Sequence, residues 1–171
     1  MIRMLVMSDS HGDTEGLRKA IRQVWRQFPG PIDAYVHCGD GARDFSALTG
    51  EMFYHDPKAQ FHTVKGNCDF GADVADDDTF ELGGWRIFVC HGHRYRVKMG
   101  LTLLAYAAAE RGCGLALYGH THIPAEDTAG GVTMLNPGAA GDGRMGLIEL
   151  EEGRMVFHRL QLDRMGELIE R

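Results

Sequence analysis

The chain has 171 residues, of which 44% are hydrophobic and 25% charged, and its formal net charge is −6 at pH 7. This length suits one domain with a substantial core, so residues 1–171 are treated as a single unit. The negative balance argues against a general polyanion-binding surface, and we expect no stable complex with nucleic acid. The N-terminal stretch turns polar too early for a signal peptide, and no apolar run reaches the roughly 20 residues of a membrane-spanning helix. We therefore expect a cytoplasmic protein without a membrane partner.

Helical spacing of apolar residues predicts a first helix over residues 17–28, with Asp13 or Thr14 suited to cap its start. We expect the stretch from Arg43 to Gln60 to be a variable loop that contributes to a substrate pocket. The glycine pair at 83–84 separates two strand-like runs and predicts a hairpin.

A second helix is predicted over residues 100–111, where Gly112 provides the stop. Residues 151–153 separate two further strand-like runs and predict a second hairpin. The C-terminal residues 163–171 are predicted to form a short helix. This mixture of strands and helices indicates an α/β domain with two or three layers.

The four cysteines are scattered and contain no CxxC pair, which argues against a zinc ribbon or a disulfide framework. We interpret Cys38, Cys90 and Cys113 as small buried thiols in a reducing compartment. Cys68 differs from them because it lies in one of five polar motifs that follow apolar runs.

Those five motifs contain residue types that bind metals. They are Asp9-Ser10-His11 after IRMLVMS, Gly39-Asp40 after AYVHC, Gly66-Asn67-Cys68-Asp69 after FHTVK, His91-Gly92-His93 after IFVC, and Gly119-His120-Thr121-His122 after LALY. The carboxyl ends of strands in open α/β sheets form the ligand-binding edge, so the motifs should converge. Their side chains suit Mn, Fe, Zn or Ni, and seven such groups suit two ions rather than one. Two ions sharing a bridging carboxylate are the usual machinery of phosphate-ester hydrolysis, and Asp40 stands alone at its strand end as that bridge.

In this order the motifs DSH, GDGARD, GNCD, HGH and GHTH resemble the signature of the calcineurin-like metallophosphoesterase superfamily, from about Ile2 to Leu160. The small size, the GNCD variant and the NPG at 136–138 resemble its compact bacterial and archaeal phosphodiesterase branch. The resemblance implies a four-layer α/β/β/α sandwich of two packed mixed sheets with flanking helices. It also implies hydrolysis of a small phosphodiester by in-line attack of a metal-bridging hydroxide.

The resemblance further implies two divalent ions as cofactors, with Mn as our first choice and Ni, Fe or Zn as alternatives. One ion is assigned Asp9, His11 and His122, the other Asn67, His91 and His120, and Asp40 is the bridge. Asn67 and Cys68 are also expected to contact the substrate. We interpret His93 as orienting the site and His37 as a packed strand histidine.

Two departures from the family pattern matter. The second acid of the common GDxxD motif falls one place later, at Asp44, so we assign it no ligand role. Cys68 occupies the place where many members have a histidine that helps the leaving group depart. Because a thiol is a weaker acid than an imidazolium, we expect diesters with good leaving groups to be the better substrates.

Three alternative functions remain open at this point. The same fold resembles the retromer coat subunit, a non-catalytic scaffold for partner proteins, although the complete ligand set argues against that function. A recombination-type nuclease is disfavoured because the chain lacks further domains and a basic surface. A phosphomonoesterase is the third alternative. The natural substrate, the native metal and the oligomeric state are left open, although compact relatives suggest a homodimer.

Overall fold

The computed structural model describes residues 1–171 and contains two mixed β-sheets and three α-helices. In chain order the strands are β1 (Ile2–Met7), β2 (Ala34–His37), β3 (Gln60–Thr63), β4 (Asp77–Leu82), β5 (Trp85–Cys90), β6 (Leu115–Leu117), β7 (Ala125–Ala129), β8 (Val132–Asn136), β9 (Arg144–Glu151), β10 (Arg154–Leu162) and β11 (Leu168–Glu170). The helices are α1 (Thr14–Gln27), α2 (Ala42–His55) and α3 (Thr102–Glu110). No helix is long and apolar enough to cross a bilayer.

The six-stranded sheet has the order β11-β10-β9-β1-β2-β3, and the five-stranded sheet has the order β4-β5-β6-β8-β7. Alternate residues of β1 show how these sheets stack, because successive strand side chains point to opposite faces. Leu5 and Met7 pack with α1 and α2, whereas Met4 and Val6 pack against the second sheet. A third apolar cluster lies between that sheet and α3. The four-layer α/β/β/α sandwich is therefore confirmed, in place of the two or three layers that patterning alone indicated.

Parallel pairing places the polar motifs at one edge of each sheet. In the first sheet β1, β2 and β3 run parallel, so their carboxyl ends lie side by side. In the second sheet β5 and β6 also run parallel. The loops after these five strands carry all five motifs, and they meet where the two sheet edges come together.

Most predicted elements are confirmed. Helix α1 covers residues 14–27, and its cap is Asp13, whose Oδ1 accepts a hydrogen bond from the N–H of Gly16 at 2.9 Å. Helix α3 lies within the predicted range 100–111. Both predicted hairpins are present, as the antiparallel pairs β4–β5 and β9–β10.

Two predictions are wrong. The stretch from Arg43 to Gln60 is mostly helix α2, whose buried Phe45, Leu48 and Met52 pack on the first sheet. The C-terminal segment forms strand β11 instead of a helix. Residues 163–166 turn the chain back, and β11 then adds antiparallel to β10 with Leu168 buried in the helix-side core. A strand here covers the edge of β10, which gives it pairing that an isolated short helix would lack.

Candidate metal centre

The loops at the sheet edges hold their polar residues in an uncommon backbone conformation. Five non-glycine residues of the motifs have φ between 48° and 69°. They are Asp9, His11, Asp40, His120 and His122. Left-handed backbone at such residues costs on the order of 1–3 kcal/mol each, and it clusters where function requires a particular side-chain direction.

Asp9, His11 and His122 form a first group of donors. Nε2 of His122 lies 3.1 Å from Oδ1 of Asp9, and Nε2 of His11 lies 3.5 Å from the same oxygen. The two imidazole Nε2 atoms are 3.2 Å apart. Asp9 is fully buried and both histidines are partly exposed, so the group opens to solvent on the histidine side.

Asp40, His91 and His120 form a second group, whose ligand atoms all lie within 4.8 Å of one another. His91 is fully buried, and its Nδ1 makes a 2.7 Å hydrogen bond to the carbonyl of Cys38. That bond places the ring proton on Nδ1 and leaves a lone pair on Nε2. The two groups adjoin, because Oδ2 of Asp40 lies 3.2 Å from Nε2 of His91 and 3.7 Å from Nε2 of His11.

The second group fits a metal ion because one of its buried atoms is otherwise unsatisfied. Nε2 of His91 is buried without a hydrogen-bond partner, although it faces the Asp40 carboxylate. A lone pair and a carboxylate oxygen at 3.2 Å repel each other unless a proton or a metal cation lies between them. Imidazole nitrogen and carboxylate oxygen together are donors that divalent transition metals accept.

The charge balance around Asp40 also favours a cation. Burial acts to raise the pKa of Asp40, but His91 and the N–H of Cys68 outweigh burial and hold that pKa far below its usual range. Burial acts to lower the pKa of His91, but Asp40 and Asp9 outweigh it and raise that pKa. Burial, with His91 as the next cause, lowers the pKa of His120 to about 4, so this imidazole is neutral near pH 7 and free to donate a lone pair.

Asn67 and Cys68 lie at the exposed rim of the same site. The N–H of Cys68 donates a 2.7 Å hydrogen bond to Oδ1 of Asp40, and its thiol joins His11 and Asp40 in a third compact group. Burial, followed by the charge of Asp40, raises the pKa of Cys68, so the group stays a thiol near neutrality. The side-chain amide of Asn67 contacts the Cys68 sulfur at 3.5 Å. The role of Asn67 as a metal ligand stays a prediction.

Comparison with known proteins identifies the family. Residues 2–153 match the model of the calcineurin-like phosphoesterase superfamily domain. The chain belongs to this superfamily. It is 31% identical over 138 residues to the protein named Probable metallophosphoesterase YsnB of Bacillus subtilis (strain 168), a match that covers 81% of this chain and 75% of the relative. The donor groups described above therefore belong to a domain whose family uses divalent metals.

Solved structures share the fold over nearly the whole chain. A conserved uncharacterized protein of Streptococcus pneumoniae TIGR4, a predicted phosphoesterase, is 28% identical with a TM-score of 0.75, covering 99% of this chain and 98% of that one. A novel archaeal phosphodiesterase is 20% identical with a TM-score of 0.69, and the match covers 93% of this chain and 100% of that one. Vps29 structures share the fold as well. At identities under 25%, the fold alone is shared.

In this phosphoesterase domain, Asp69 organises the loops around Asp40, which the sequence did not reveal. Its Oδ2 accepts hydrogen bonds from the N–H groups of Asp40 and Gly66 at 2.7 and 2.8 Å, and its Oδ1 accepts those of Gly41 and Ala42 at 3.0 and 3.1 Å. The carboxylate thus caps helix α2, which has no capping side chain at Gly41. The only available signal was an acid three residues after Gly66.

Asp44 supports the DSH loop of the domain, consistent with its having no assigned ligand role. Its carboxylate accepts hydrogen bonds from Ser10 Oγ at 2.7 Å, Gly12 N at 2.9 Å and Thr14 Oγ1 at 2.6 Å. Fully buried His37 lies 3.0 Å from the same Ser10 hydroxyl through Nε2 and accepts the N–H of Gly39 at Nδ1. It is therefore a packed strand histidine, as predicted, and it also supports the loop.

The GHTH loop approaches strand β1 so closely that only glycine fits at position 119. A Cβ there would lie 2.0 Å from Ser8 Oγ and 2.5 Å from Asp9 Oδ2. This approach lets the N–H of His120 donate to Oδ2 of Asp9 at 3.0 Å. Buried Asn136 of the NPG turn holds the other side of the loop, donating to the carbonyl of Gly119 at 3.0 Å. The NPG turn therefore supports the site through a side chain.

His93 stands beside the second group without bonding to it. Its ring centroid lies 5.4 Å from that of His91 and 6.1 Å from that of His120. Its buried Nδ1 has no hydrogen-bond partner, and burial is the main cause that lowers its pKa. Its expected role in orienting the site stays a prediction.

Proposed function

We propose that this chain is a binuclear metal-dependent phosphodiesterase. The observation that carries the proposal is the adjoining pair of donor groups, in which Asp40 reaches a histidine of each group through one carboxylate oxygen. In this proposal Asp9, His11 and His122 would hold one ion, Asn67, His91 and His120 would hold the other, and Asp40 would be shared by both. Mn is our first choice of metal, with Ni, Fe or Zn as alternatives, because all four accept this donor set.

When bound, the two ions would supply Lewis-acid activation of water and of the phosphoryl oxygens. The residues of the chain supply position and charge. Asp40 stays ionised because its pKa is held low, and His120 stays neutral because its pKa is lowered. Asp9 and His91 are buried, so water would screen their interactions with bound cations only weakly.

Two features favour a diester substrate. The thiol of Cys68 stands where a proton donor for the leaving group would be needed, and its raised pKa makes it a poor one. The structure also resembles an archaeal phosphodiesterase in its fold. A small diester with a good leaving group needs little protonation and is therefore the substrate that this rim suits best.

The second candidate function is a non-catalytic scaffold, since Vps29 structures share the fold. A scaffold has no need for a buried imidazole nitrogen that faces a carboxylate without a hydrogen bond, and such an arrangement costs stability unless a proton or a metal ion lies between the two groups. We therefore place the phosphodiesterase first.

The deciding experiment measures bound metal and turnover together. Protein purified without chelator is analysed for metal content and assayed on phosphate mono- and diesters with Mn, Ni, Zn or Mg. We expect two ions per chain and preference for nitrophenyl diesters. Asp40→Asn should lose most activity and at least one ion, whereas Asp127→Asn, an exposed acid on β7, should keep both. Two ions and normal turnover in Asp40→Asn would contradict the proposal, and a protein that binds metal but hydrolyses no ester would favour the scaffold.

A further inference from the structure

Three arginines converge on one cavity outside the ligand groups. The cavity has a volume of about 240 Å³ and is lined by Pro124, Arg144, Arg159, Leu160, Gln161 and Arg171. Five of its six lining residues are polar or proline, and none has an acidic side chain. It is therefore a locally basic cavity in a chain whose net charge is −6.

Strand pairing explains why these arginines meet. Arg144 of β9 lies opposite Gln161 of β10. Arg159, two residues earlier on β10, points to the same face of the sheet as Gln161. Arg171 follows β11, and its backbone N–H donates to the carbonyl of Arg159 at 2.8 Å. Strands β9 and β10 thus each contribute one arginine, and the residue that follows β11 contributes the third.

None of these three arginines forms a salt bridge, unlike seven others in the chain. The paired arginines are Arg3, Arg18, Arg22, Arg26, Arg86, Arg94 and Arg111. In the cavity, Arg144 contacts Gln161 Oε1 at 3.4 Å, and the Arg159 guanidinium lies 5.8 Å from the ring of Phe157. Three like side-chain charges that line one cavity without an acidic side chain repel one another, and a bound anion would offset that repulsion.

The chemistry of the lining selects a phosphate group among anions. Guanidinium groups present paired N–H donors that match the oxygens of phosphate. The volume exceeds the roughly 30 Å³ of one water several-fold, so an anion the size of pyrophosphate fits with some hydration. We propose that this cavity binds a phosphate group of a small phosphorylated molecule.

The cavity adjoins the ligand groups through one hydrogen bond. Nη1 of Arg144 donates to the backbone carbonyl of His122 at 3.3 Å. The phosphate has two sources that share this chemistry: a second phosphate of the substrate itself, or a separate phosphorylated molecule. The first source rests on the proposed function, and the binding site itself does not.

The test of binding uses metal-free protein, prepared with chelator and then desalted, so that pyrophosphate cannot bind through the ions. Titration calorimetry at 0.15 M salt compares the wild-type chain with the double variant Arg159→Gln/Arg171→Gln. The control Arg154→Gln/Arg164→Gln removes two exposed arginines without ion pairs and changes the net charge equally. Loss of charge-assisted hydrogen bonds should weaken pyrophosphate binding at least about tenfold in the first variant. The control should change little, because distant charges are screened at this salt.

Equal weakening in both double variants, or no binding by the wild-type chain, would overturn the proposal. If the double variant fails to fold, Arg171→Gln alone replaces it, since this side chain is exposed at the chain end.

The source of the phosphate is decided by two nitrophenyl esters of thymidine 5′-phosphate, one of them also phosphorylated at the 3′ position. A rise in KM of about tenfold for the 3′-phosphorylated ester alone in Arg159→Gln/Arg171→Gln assigns the phosphate to the substrate. If KM is unchanged for both esters while pyrophosphate binding is still lost, the phosphate belongs to a separate molecule. Either of these two outcomes supports the proposed binding site. If neither ester is hydrolysed, the proposed function fails while the titration still decides the cavity.

Discussion

At the residue scale, the proposed function gives Cys68 a part in deciding which esters the site can cleave. Its thiol lies with His11 and Asp40 at the rim, and its raised pKa leaves it a weak proton donor. A departing alkoxide needs a proton, and general acid catalysis contributes about 10²–10⁴-fold. The nature of the leaving group should therefore affect the rate strongly in the native chain.

We predict that Cys68→His raises turnover on diesters with poor leaving groups more than on nitrophenyl diesters. An imidazole at this exposed position can deliver a proton near neutrality, since its unperturbed pKa is about 6.5. The measurement is the dependence of log kcat on leaving-group pKa for the native chain, Cys68→His and the control Cys68→Ala. Equal slopes in the native chain and Cys68→His, with both fully metallated, would show that the position does not assist departure.

Also at the residue scale, His37 links stability to pH. Complete burial is the main cause that lowers its pKa from 6.5 to about 4. The unfolded chain takes up a proton near pH 6.5 and the folded chain only near pH 4, so the unfolded state binds more protons in between. The stability that depends on neutral His37 is thus fully present above pH 6.5 and is lost as the pH falls towards 4.

We predict a loss on the order of 3 kcal/mol from this group across that window. His37→Gln cannot take up the proton, so its free energy of unfolding should fall less steeply between pH 6.5 and 4, from a lower value at pH 7.5. Urea unfolding of metal-free protein at a series of pH values measures both curves. Parallel curves would mean that His37 does not cause the acid sensitivity.

At the scale of elements, the start of helix α2 is fixed by a carboxylate that lies 27 residues away from it in sequence. Asp69 accepts four backbone N–H groups, including those of Asp40 and Ala42. Each carboxylate oxygen accepts hydrogen bonds from two of these N–H groups. If an amide NH2 replaced either oxygen, it would face two N–H donors without an acceptor. The start of helix α2 and the backbone at Asp40 therefore depend on one side chain.

We predict that Asp69→Asn destabilises the metal-free protein by about 1–3 kcal/mol and weakens metal binding, because donors near Asp40 lose their acceptor. Asp13→Asn is the matched control: Asp13 caps α1 through a single N–H, and asparagine caps helices about as well as aspartate. Urea unfolding and metal titration measure both variants. Equal losses in the two would show that Asp69 acts only as an ordinary cap.

The elements also show which parts of the fold were readable from sequence. Helix α1 has an uninterrupted apolar face and a capping side chain, and both features were predicted from the sequence. Helix α2 has apolar residues at helical spacing too, but exposed Phe53 and Tyr54 and the central Thr49-Gly50 obscure the periodicity. Its cap is a distant residue, which no local pattern reveals. Strand β11 exists because β10 offers an edge, so its conformation is a tertiary effect.

At the scale of the whole molecule, the candidate site belongs to the contact between the two sheets. Asp9 and Asp40 follow strands of the first sheet, whereas His91, His120 and His122 follow strands of the second. The order of motifs was enough to predict that these residues meet, because parallel strand ends share an edge. The arginine cavity could not be predicted in this way, since it requires the register of β9 and β10 and the addition of β11.

This arrangement predicts that metal stabilises a chain that is already folded. Three apolar clusters fill the sandwich independently of the donor groups, so the metal-free protein should keep a native circular dichroism spectrum. Each ion that binds only the folded state adds about 2.7 kcal/mol of stability at 100 times its Kd, which raises Tm by roughly 5–11 °C per ion for a chain of this size. Calorimetric melts across a Mn²⁺ series measure this rise in Tm.

The Asp40→Asn variant should lose most of the rise in Tm and Asp127→Asn should lose none of it, because of these two acids only Asp40 contacts both donor groups. A metal-free chain without tertiary structure, or equal rises in both variants, would contradict an ion site built on this preformed edge.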